Sequence, residues 1–140
     1  NIFNASNQLI ASSTSTMQYS SSSGSFKTTY ALTQPITTGS YTIKATTDTH
    51  LTRLLPGIQN ITAGQNNELP NATFIAGDIA SDNKLDILDY NALIGCYSDL
   101  AAATSCDGTQ KTASDLNDDG KVNQFDYNLF LREISIQPGQ

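Results

Sequence analysis

Asp115-Leu116-Asn117-Asp118-Asp119-Gly120-Lys121-Val122-Asn123-Gln124-Phe125-Asp126 decides how this chain is read. Oxygen-bearing side chains stand at its first, third, fifth, ninth and twelfth places, with glycine at the sixth and an apolar residue at the eighth. A hard cation such as Ca²⁺ takes about 6–8 oxygen ligands at roughly 2.3–2.6 Å. So short a loop wraps one only if alternate residues turn inward and the chain reverses sharply near its middle. Gly120 stands at that reversal, where left-handed backbone costs a residue without Cβ little. Lys121 offers a backbone carbonyl while its ammonium points to solvent. Asp126 closes the loop from the first turn of the helix that follows, near that helix's positive end. The expected ligands are Asp115, Asn117, Asp119, Asn123 and Asp126, with the carbonyl of Lys121.

The pattern occurs twice. Asp78-Ile-Ala80-Ser-Asp82-Asn83-Lys84-Leu85-Asp86-Ile-Leu-Asp89 aligns with it at a constant offset of 37 residues, and each copy ends in Asp-Tyr-Asn before an apolar segment. An internal repeat is read before anything else. Here it predicts two loop–helix units packed on one another about a pseudo-twofold axis. Asp78, Asp82, Asp86 and Asp89, with the carbonyl of Lys84, are the expected ligands of the first ion. That loop is the poorer one. Ala80 has no oxygen to give at the third place, and Asn83 replaces glycine at the sixth, which asparagine tolerates better than most residues. Two Ca²⁺ sites are expected, the second stronger. The stripes Tyr90, Leu93, Ile94, Tyr97 and Tyr127, Phe130, Leu131, Ile134 are expected to form the shared core. Leu88 with Ala92, and Phe125 with Leu129, lie on another face that needs a cover, expected from the N-terminal domain because the connection is short, with a partner protein as the alternative.

Gly77-Asp78, the two loops and the segments after Asp89 and Asp126 resemble the dockerin domain, a duplicated calcium-loop–helix module of bacterial and archaeal protein assemblies. The resemblance runs from Gly77 to about Ser135. It implies calcium-dependent folding, no helix leading into the first loop, and docking to a cohesin-like partner. In the family, loop positions 10 and 11 often read the partner and are commonly small hydroxyl residues. Here they are Ile87-Leu88 and Gln124-Phe125, the expected partner surface.

The charge is divided to match. Residues 1–77 carry a net +1 and residues 78–140 a net −7. Carboxylates gathered at ligand positions explain that acidity better than a solvated surface does. The same balance excludes nucleic acid, whose phosphates call for Lys and Arg patches. Of the two cysteines, Cys96 is expected just after the first helix, beside a Gly95 helix stop, and Cys106 in the polar connection before the second loop. A disulfide between them would contribute about 2–3 kcal/mol by loop entropy. It would place the chain in an oxidising, extracellular or cell-surface setting. Two free thiols or a metal pair are the alternatives. Zinc fits poorly, because the only histidine is His50 in the other half.

Residues 1–76 read as an all-β domain, and residues 77–140 as the mainly α calcium-binding domain. Phe26, Thr28, Tyr30 and Leu32 alternate with polar neighbours, as do Tyr41, Ile43 and Ala45, and this period of two predicts half-buried strands. Turn residues separate them: Pro35 with Gly39, Pro56-Gly57 and Ala63-Gly64. The Ser/Thr-rich run Ser12–Ser25 reads as a hairpin, because Met17 and Tyr19 alternate within it, with an O-glycosylated surface as the alternative. Gly39–Ala45, followed by Leu51, Ile58 and Ile61-Thr-Ala-Gly64, resembles the carboxypeptidase-regulatory-like or transthyretin-like sandwich, with an immunoglobulin-like sandwich as the alternative. Thr73–Ala76 is expected as its last strand. No Gly/Ser- or Pro-rich linker follows, so a rigid junction is expected. No stretch is apolar enough to span a membrane.

Catalysis finds no support. His50 lies in a Thr-rich turn with no nucleophile motif around it, and calcium claims the paired carboxylates. The leading function is a non-catalytic extracellular calcium module for assembly, anchoring or adhesion, with a cohesin-like protein or a further copy as partner. A calcium staple that recruits nothing is the second reading. It predicts Ile87, Leu88 and Phe125 buried against the β-domain. The third is a carbohydrate-binding sandwich, which in the absence of Trp would need Tyr19, Tyr30 and Tyr41 as a stacking platform.

Overall fold

Among the described residues seven short strands and three helices follow in sequence: β1 (Ile2–Phe3), β2 (Leu9–Ala11), β3 (Gln18–Ser20), β4 (Ser25–Lys27), β5 (Gly39–Ala45), β6 (Arg53–Leu54), β7 (Gln59–Ile61), α1 (Ile87–Cys96), α2 (Gly108–Ser114) and α3 (Gln124–Ile136). The computed structural model describes residues 1–99, 103 and 106–136. They divide into two compact units, Asn1–Ala45 with Leu54–Ala72, and Thr46–Arg53 with the described residues from Thr73 onward.

In the first unit β5 is the hub. Tyr41 and Ile43, two residues apart, share a face and are buried, while Thr42 and Lys44 are half-buried. β1 pairs antiparallel with β5 through Ile2↔Ile43, β7 through Gly39↔Ile61, and β2 extends the sheet beyond β1. The sheet order is β2-β1-β5-β6, with β7 also on β5. Ile36, Tyr41, Ile43, Leu55 and Ile61 make its core, flanked by Ile2, Ala11, Leu32 and Ala72. Five buried side chains at about 1.5–3 kcal/mol each make a small core.

The Ser/Thr-rich run forms the expected hairpin. β3 and β4 pair as a separate ribbon, closed by a turn in which Gly24 has φ +61°. The strand expected from Phe26 to Leu32 stops at Lys27. Its alternation had no sheet to bury itself in. Phe26 pairs with Tyr19 across the ribbon on an exposed face, and Leu32 alone packs on the core. Tyr41 is buried, and Tyr19 meets Phe26 at an interplanar angle of 60°, so the three-tyrosine stacking platform does not form.

The second unit is built on Ile79, Leu93, Cys96, Val122 and Phe130, with Leu85, Tyr90, Ala92, Cys106, Ala113, Leu116 and Tyr127 packed around them. Most of these are repeat-mates at the offset of 37: Ile79 with Leu116, Leu85 with Val122, Leu93 with Phe130, Tyr90 with Tyr127. Tyr90 and Tyr127 also meet each other edge to face, their ring centroids 6.4 Å apart. A residue touches its own repeat-mate only near the axis that relates the repeats. The buried rows are Asp89, Leu93, Cys96 on α1 and Asp126, Phe130, Glu133 on α3, at i, i+4, i+7 in both helices. The expected stripes were centred one residue too late: Ile94, Leu131 and Ile134 are exposed, because a loop carboxylate takes the inward position at the start of each helix.

Cys96 is the last residue of α1, and Gly95 lies inside the helix. A disulfide joins Cys96 to Cys106 across a Cα–Cα distance of 4.9 Å. Between Cys106 and the second loop the chain forms α2, with Asp107 as N-cap accepting from the Gln110 N–H at 2.8 Å. Its sequence, Gly-Thr-Gln-Lys-Thr-Ala-Ser, has no apolar period. The cap aspartate was the one signal for it.

Thr73–Ala76 is not a sheet strand. Its β-pairing among the described residues is a single bridge between Ala76 and His50, beside a Leu51 N–H bond to the Ile75 carbonyl at 2.9 Å. Phe74 packs edge to face on His50. The Thr46–Arg53 segment satisfies the backbone that a sheet edge was expected to satisfy. Among the described residues no helix is long and apolar enough to cross a membrane.

Candidate metal centre

Each loop is held by its own carboxylates acting on its own backbone. In the second loop the Asp115 carboxylate accepts from Asp119 N–H at 3.1 Å and from Gly120 N–H at 2.7 Å. Asp119 accepts from Lys121 N–H at 2.9 Å, and Asn123 from Phe125 N–H at 2.8 Å. Asp126 accepts from Leu116 and Asn117 N–H on Oδ1, at 2.8 and 3.2 Å, and from Asn123 N–H on Oδ2 at 2.8 Å.

The first loop repeats the arrangement 37 residues earlier. Asp78 accepts from Asp82 and Asn83 N–H, both at 3.0 Å. Asp82 accepts from Lys84 N–H at 3.0 Å, and Asp86 from Leu88 N–H at 2.8 Å. Asp89 accepts from Ala80 N–H at 2.8 Å and Asp86 N–H at 2.9 Å. The backbone turns correspond as well. Ser81 and Asp118 take φ +57° and +58°, and Asn83 and Gly120 take +62° and +84°.

The loops differ where the sequences differ. Asn117 accepts from Asp119 N–H at 3.0 Å and donates to the Asp119 carboxylate at 3.3 Å. Ala80 offers only its backbone N–H. Asp86 is the N-cap of α1 and forms a reciprocal capping box with Asp89. At the start of α3 the Asn123 N–H donates to Asp126 Oδ2, and the Asn123 side chain accepts from Phe125 N–H, as Asp86 does from Leu88 N–H.

Burial sorts the predicted ligands. Asp89 and Asp126 are fully buried, and Asp78 and Asn123 nearly so. Asp86 and Asp115 are half-buried, and Asp82, Lys84, Asn117, Asp119 and Lys121 are exposed. Among the described residues the one ion pair is Arg132 with Glu133, at 2.6 Å. Asp89 and Asp126 are therefore buried carboxyl groups with no salt-bridge partner among the described residues, and a carboxylate buried in that way calls for a counter-charge or a metal. Burial pushes the Asp78 carboxyl above its ordinary value of 3.8. The N–H bonds from Asn83 and Asp82 oppose that shift, and the charges of Asp89 and Asp82 add to it.

Among the described residues no three His, Cys, Asp or Glu side chains converge closely enough to hold one ion. The loop amides hold each carboxylate at its own place along the turn instead. The donor set is all oxygen: carboxylates, asparagine amides and backbone carbonyls. Both cysteines are spent in the disulfide. That chemistry fits a hard divalent cation and not zinc or a softer metal. Each carboxylate oxygen has two acceptor sites, and most of those described accept one N–H, leaving the other for a cation.

Beyond the predicted ligands lie contacts that no local motif announces. Gly77 N–H and Asp78 N–H both donate to the Thr49 carbonyl, at 2.8 and 3.0 Å. Thr52 N–H donates to Asn83 Oδ1 at 2.6 Å. Gly77 has φ +112°, and a Cβ there would stand 2.8 Å from Leu85 Cδ1 and 3.0 Å from Phe130 Cδ2.

Residues 76–135 match the family model of the dockerin type I domain. Neither a curated protein nor a solved structure matches the chain. Dockerin domains bind Ca²⁺ and dock to cohesin partners as non-catalytic assembly modules. The dockerin match covers both loops, α1, α2 and almost all of α3. It leaves the β unit and Thr46–Arg53 outside.

The positions expected to meet a partner lie at the starts of α1 and α3. Ile87, Leu88 and Phe125 are exposed by 63, 53 and 68 %, far more than side chains of their kind inside the core. Gln124 is exposed as well. Phe125, Leu129 and the stem of Arg132 border a shallow cleft with Asn117 and Asn128.

Proposed function

We propose that this chain is an extracellular assembly protein whose dockerin module is ordered by two calcium ions and then docks to a cohesin-like protein. The observation that carries the proposal is the pair of hydrogen-bond cradles, repeated at the same offset except for the Leu116 N–H bond to Asp126 and the Asn117 side-chain bonds with Asp119, each ending on a buried aspartate with no salt-bridge partner among the described residues. Asp78, Asp82, Asp89 and the Lys84 carbonyl would hold the first ion, and Asp115, Asn117, Asp119, Asp126 and the Lys121 carbonyl the second. Asp86 and Asn123 cap the helices through one oxygen lone pair and would reach the ion through water, as the ninth position of such loops often does. The second site is the tighter, because Asn117 supplies an oxygen where Ala80 has none.

Bound calcium supplies charge that lets these carboxylates approach one another. The residues do the rest. The positive-φ residues at positions 4 and 6 turn the chain, and the caps start α1 and α3 in fixed directions. Those helices then present Ile87-Leu88 and Gln124-Phe125. Exposure of these side chains favours docking over a calcium staple that recruits nothing. Their size and apolarity favour a partner with an apolar recess over one that reads small hydroxyl groups.

A calorimetric Ca²⁺ titration of the metal-stripped chain, with circular dichroism alongside, tests the proposal. Two binding events with a gain of helix are expected, and Asp115→Ala should remove the tighter of them. An absence of binding would overturn the proposal. Loss of the tighter event in Asp78→Ala instead would reverse the ranking of the sites.

A further inference from the structure

The two calcium loops are begun differently. In the second, the chain enters from α2, and the Asp115 N–H is taken up by the Lys111 carbonyl of that helix at 3.1 Å. No helix leads into the first loop. The equivalent Asp78 N–H is taken up by Thr49, a residue 29 positions earlier and outside the dockerin match. Thr49 holds φ +59°, an outlying conformation for a β-branched residue, and its carbonyl receives both the Gly77 and the Asp78 N–H. Backbone held in such a region marks a place where the surroundings over-determine the geometry.

A second tie lies at the sixth position. Calcium loops ask there for a residue with φ > 0, usually glycine. Asn83 meets that demand at φ +62° and does something glycine cannot. Its side-chain oxygen accepts the Thr52 N–H at 2.6 Å, while its own N–H donates to the Asp78 carboxylate at 3.0 Å. One residue thus joins a predicted calcium ligand to the Thr46–Arg53 segment. Between the two ties run the Leu51–Ile75 hydrogen bond and the His50–Ala76 bridge. The ends of the segment continue in sequence into β5 and β6.

We propose that Thr46–Arg53 is a strap on the first calcium loop, tied by the Thr49 carbonyl and by Asn83, so that calcium at that loop and order in the strap are coupled. The proposal rests on the calcium reading of the loops. Asn83 and Thr49 are positioning residues and not ligands: they fix where Asp78 stands. Linkage makes the coupling reciprocal, so calcium tightens the strap as much as the strap tightens calcium. The strap does for the first loop what α2 does for the second, and the oxygen missing at Ala80 leaves the first loop more dependent on it.

Residue-resolved amide exchange on the full chain, with and without Ca²⁺, tests the strap. In the wild type, Ca²⁺ should slow exchange at Thr52, Gly77 and Asp78 together with Asp82 and Asn83. In Asn83→Gly, which keeps the positive φ and removes the acceptor, Thr52 should lose protection by about 2- to 10-fold, the range of one net hydrogen bond. Asp119 and Gly120 in the second loop should be unchanged. Asn83→Asp, which restores an acceptor oxygen, should restore protection at Thr52. A residue needed only for its backbone turn predicts the opposite, with Asn83→Gly neutral at Thr52. Calcium binding in the wild type with no effect on Thr52 would overturn the strap alone. A wild-type chain that binds no Ca²⁺ would overturn the calcium reading and the strap with it.

Discussion

Asp126→Asn separates the role of a metal ligand from that of a helix cap. Asp126 is fully buried and accepts three N–H groups, from Leu116, Asn117 and Asn123. An amide of the same shape keeps one acceptor oxygen. Placed at Oδ1, it still serves Leu116 and Asn117 but without charge assistance, a loss of about 1 kcal/mol for each bond. The Asn123 N–H then faces an NH₂ group, and a buried donor with no acceptor costs about 1–3 kcal/mol. The loss with calcium present is therefore about 4 kcal/mol. In chelator the same change also removes a buried negative charge from a loop that holds Asp115, Asp118 and Asp119, and this relief offsets much of the loss. Helical circular dichroism followed through urea unfolding reads the second unit, because the three described helices lie there. The expected result is a destabilisation of about 4 kcal/mol in saturating Ca²⁺ and less than half of that in chelator. Equal losses under both conditions would make Asp126 a cap only and refute the argument.

Gly77→Ala should destabilise the calcium-loaded second unit by about 2–4 kcal/mol, since it combines an unfavourable φ with contacts that Leu85 and Phe130 must yield to. Urea midpoints of the two proteins measure it. Asp78 carries a pH dependence. Its carboxyl is raised in the folded chain, so without metal its contribution favours the folded state at low pH. That contribution is lost as pH rises from the ordinary value of 3.8 through the raised one. Ca²⁺ takes the ionised form, so calcium affinity should fall on acidification through that window, because a proton bound at Asp78 competes with the metal. Titration calorimetry in buffers of different ionisation enthalpy should detect the released proton, and Asp78→Asn should abolish its share. Reducing the Cys96–Cys106 bond, which closes a separation of 10 residues, should cost the second unit about 2–3 kcal/mol. Unfolding with and without reductant in the same calcium buffer checks it.

Much of this protein was legible in residue spacing. The loop pattern and its copy at offset 37 are local facts: each donor and acceptor lies within about a dozen residues of its partner, so the sequence by itself determined the two loops and the helices that follow them, while Asp86 and Asn123, read there as ligands, serve the helix starts. The same held for β5, whose alternation is as local as a strand allows, and for the Ser/Thr-rich hairpin. Failures came where a longer-range choice was made. The buried ridges of α1 and α3 start on Asp89 and Asp126 because the loops draw those carboxylates inward, which no hydrophobic period encodes. The run from Phe26 to Leu32 alternates correctly but finds no sheet beyond Lys27. The strap was invisible for the plainest reason. Hydrogen bonds from Gly77 and Asp78 to Thr49, and from Thr52 to Asn83, join residues about 30 apart, and two of the groups in them belong to the backbone of threonines that carry no motif. A backbone carbonyl is the same in every residue, so only the tertiary structure could decide which one would meet the first loop.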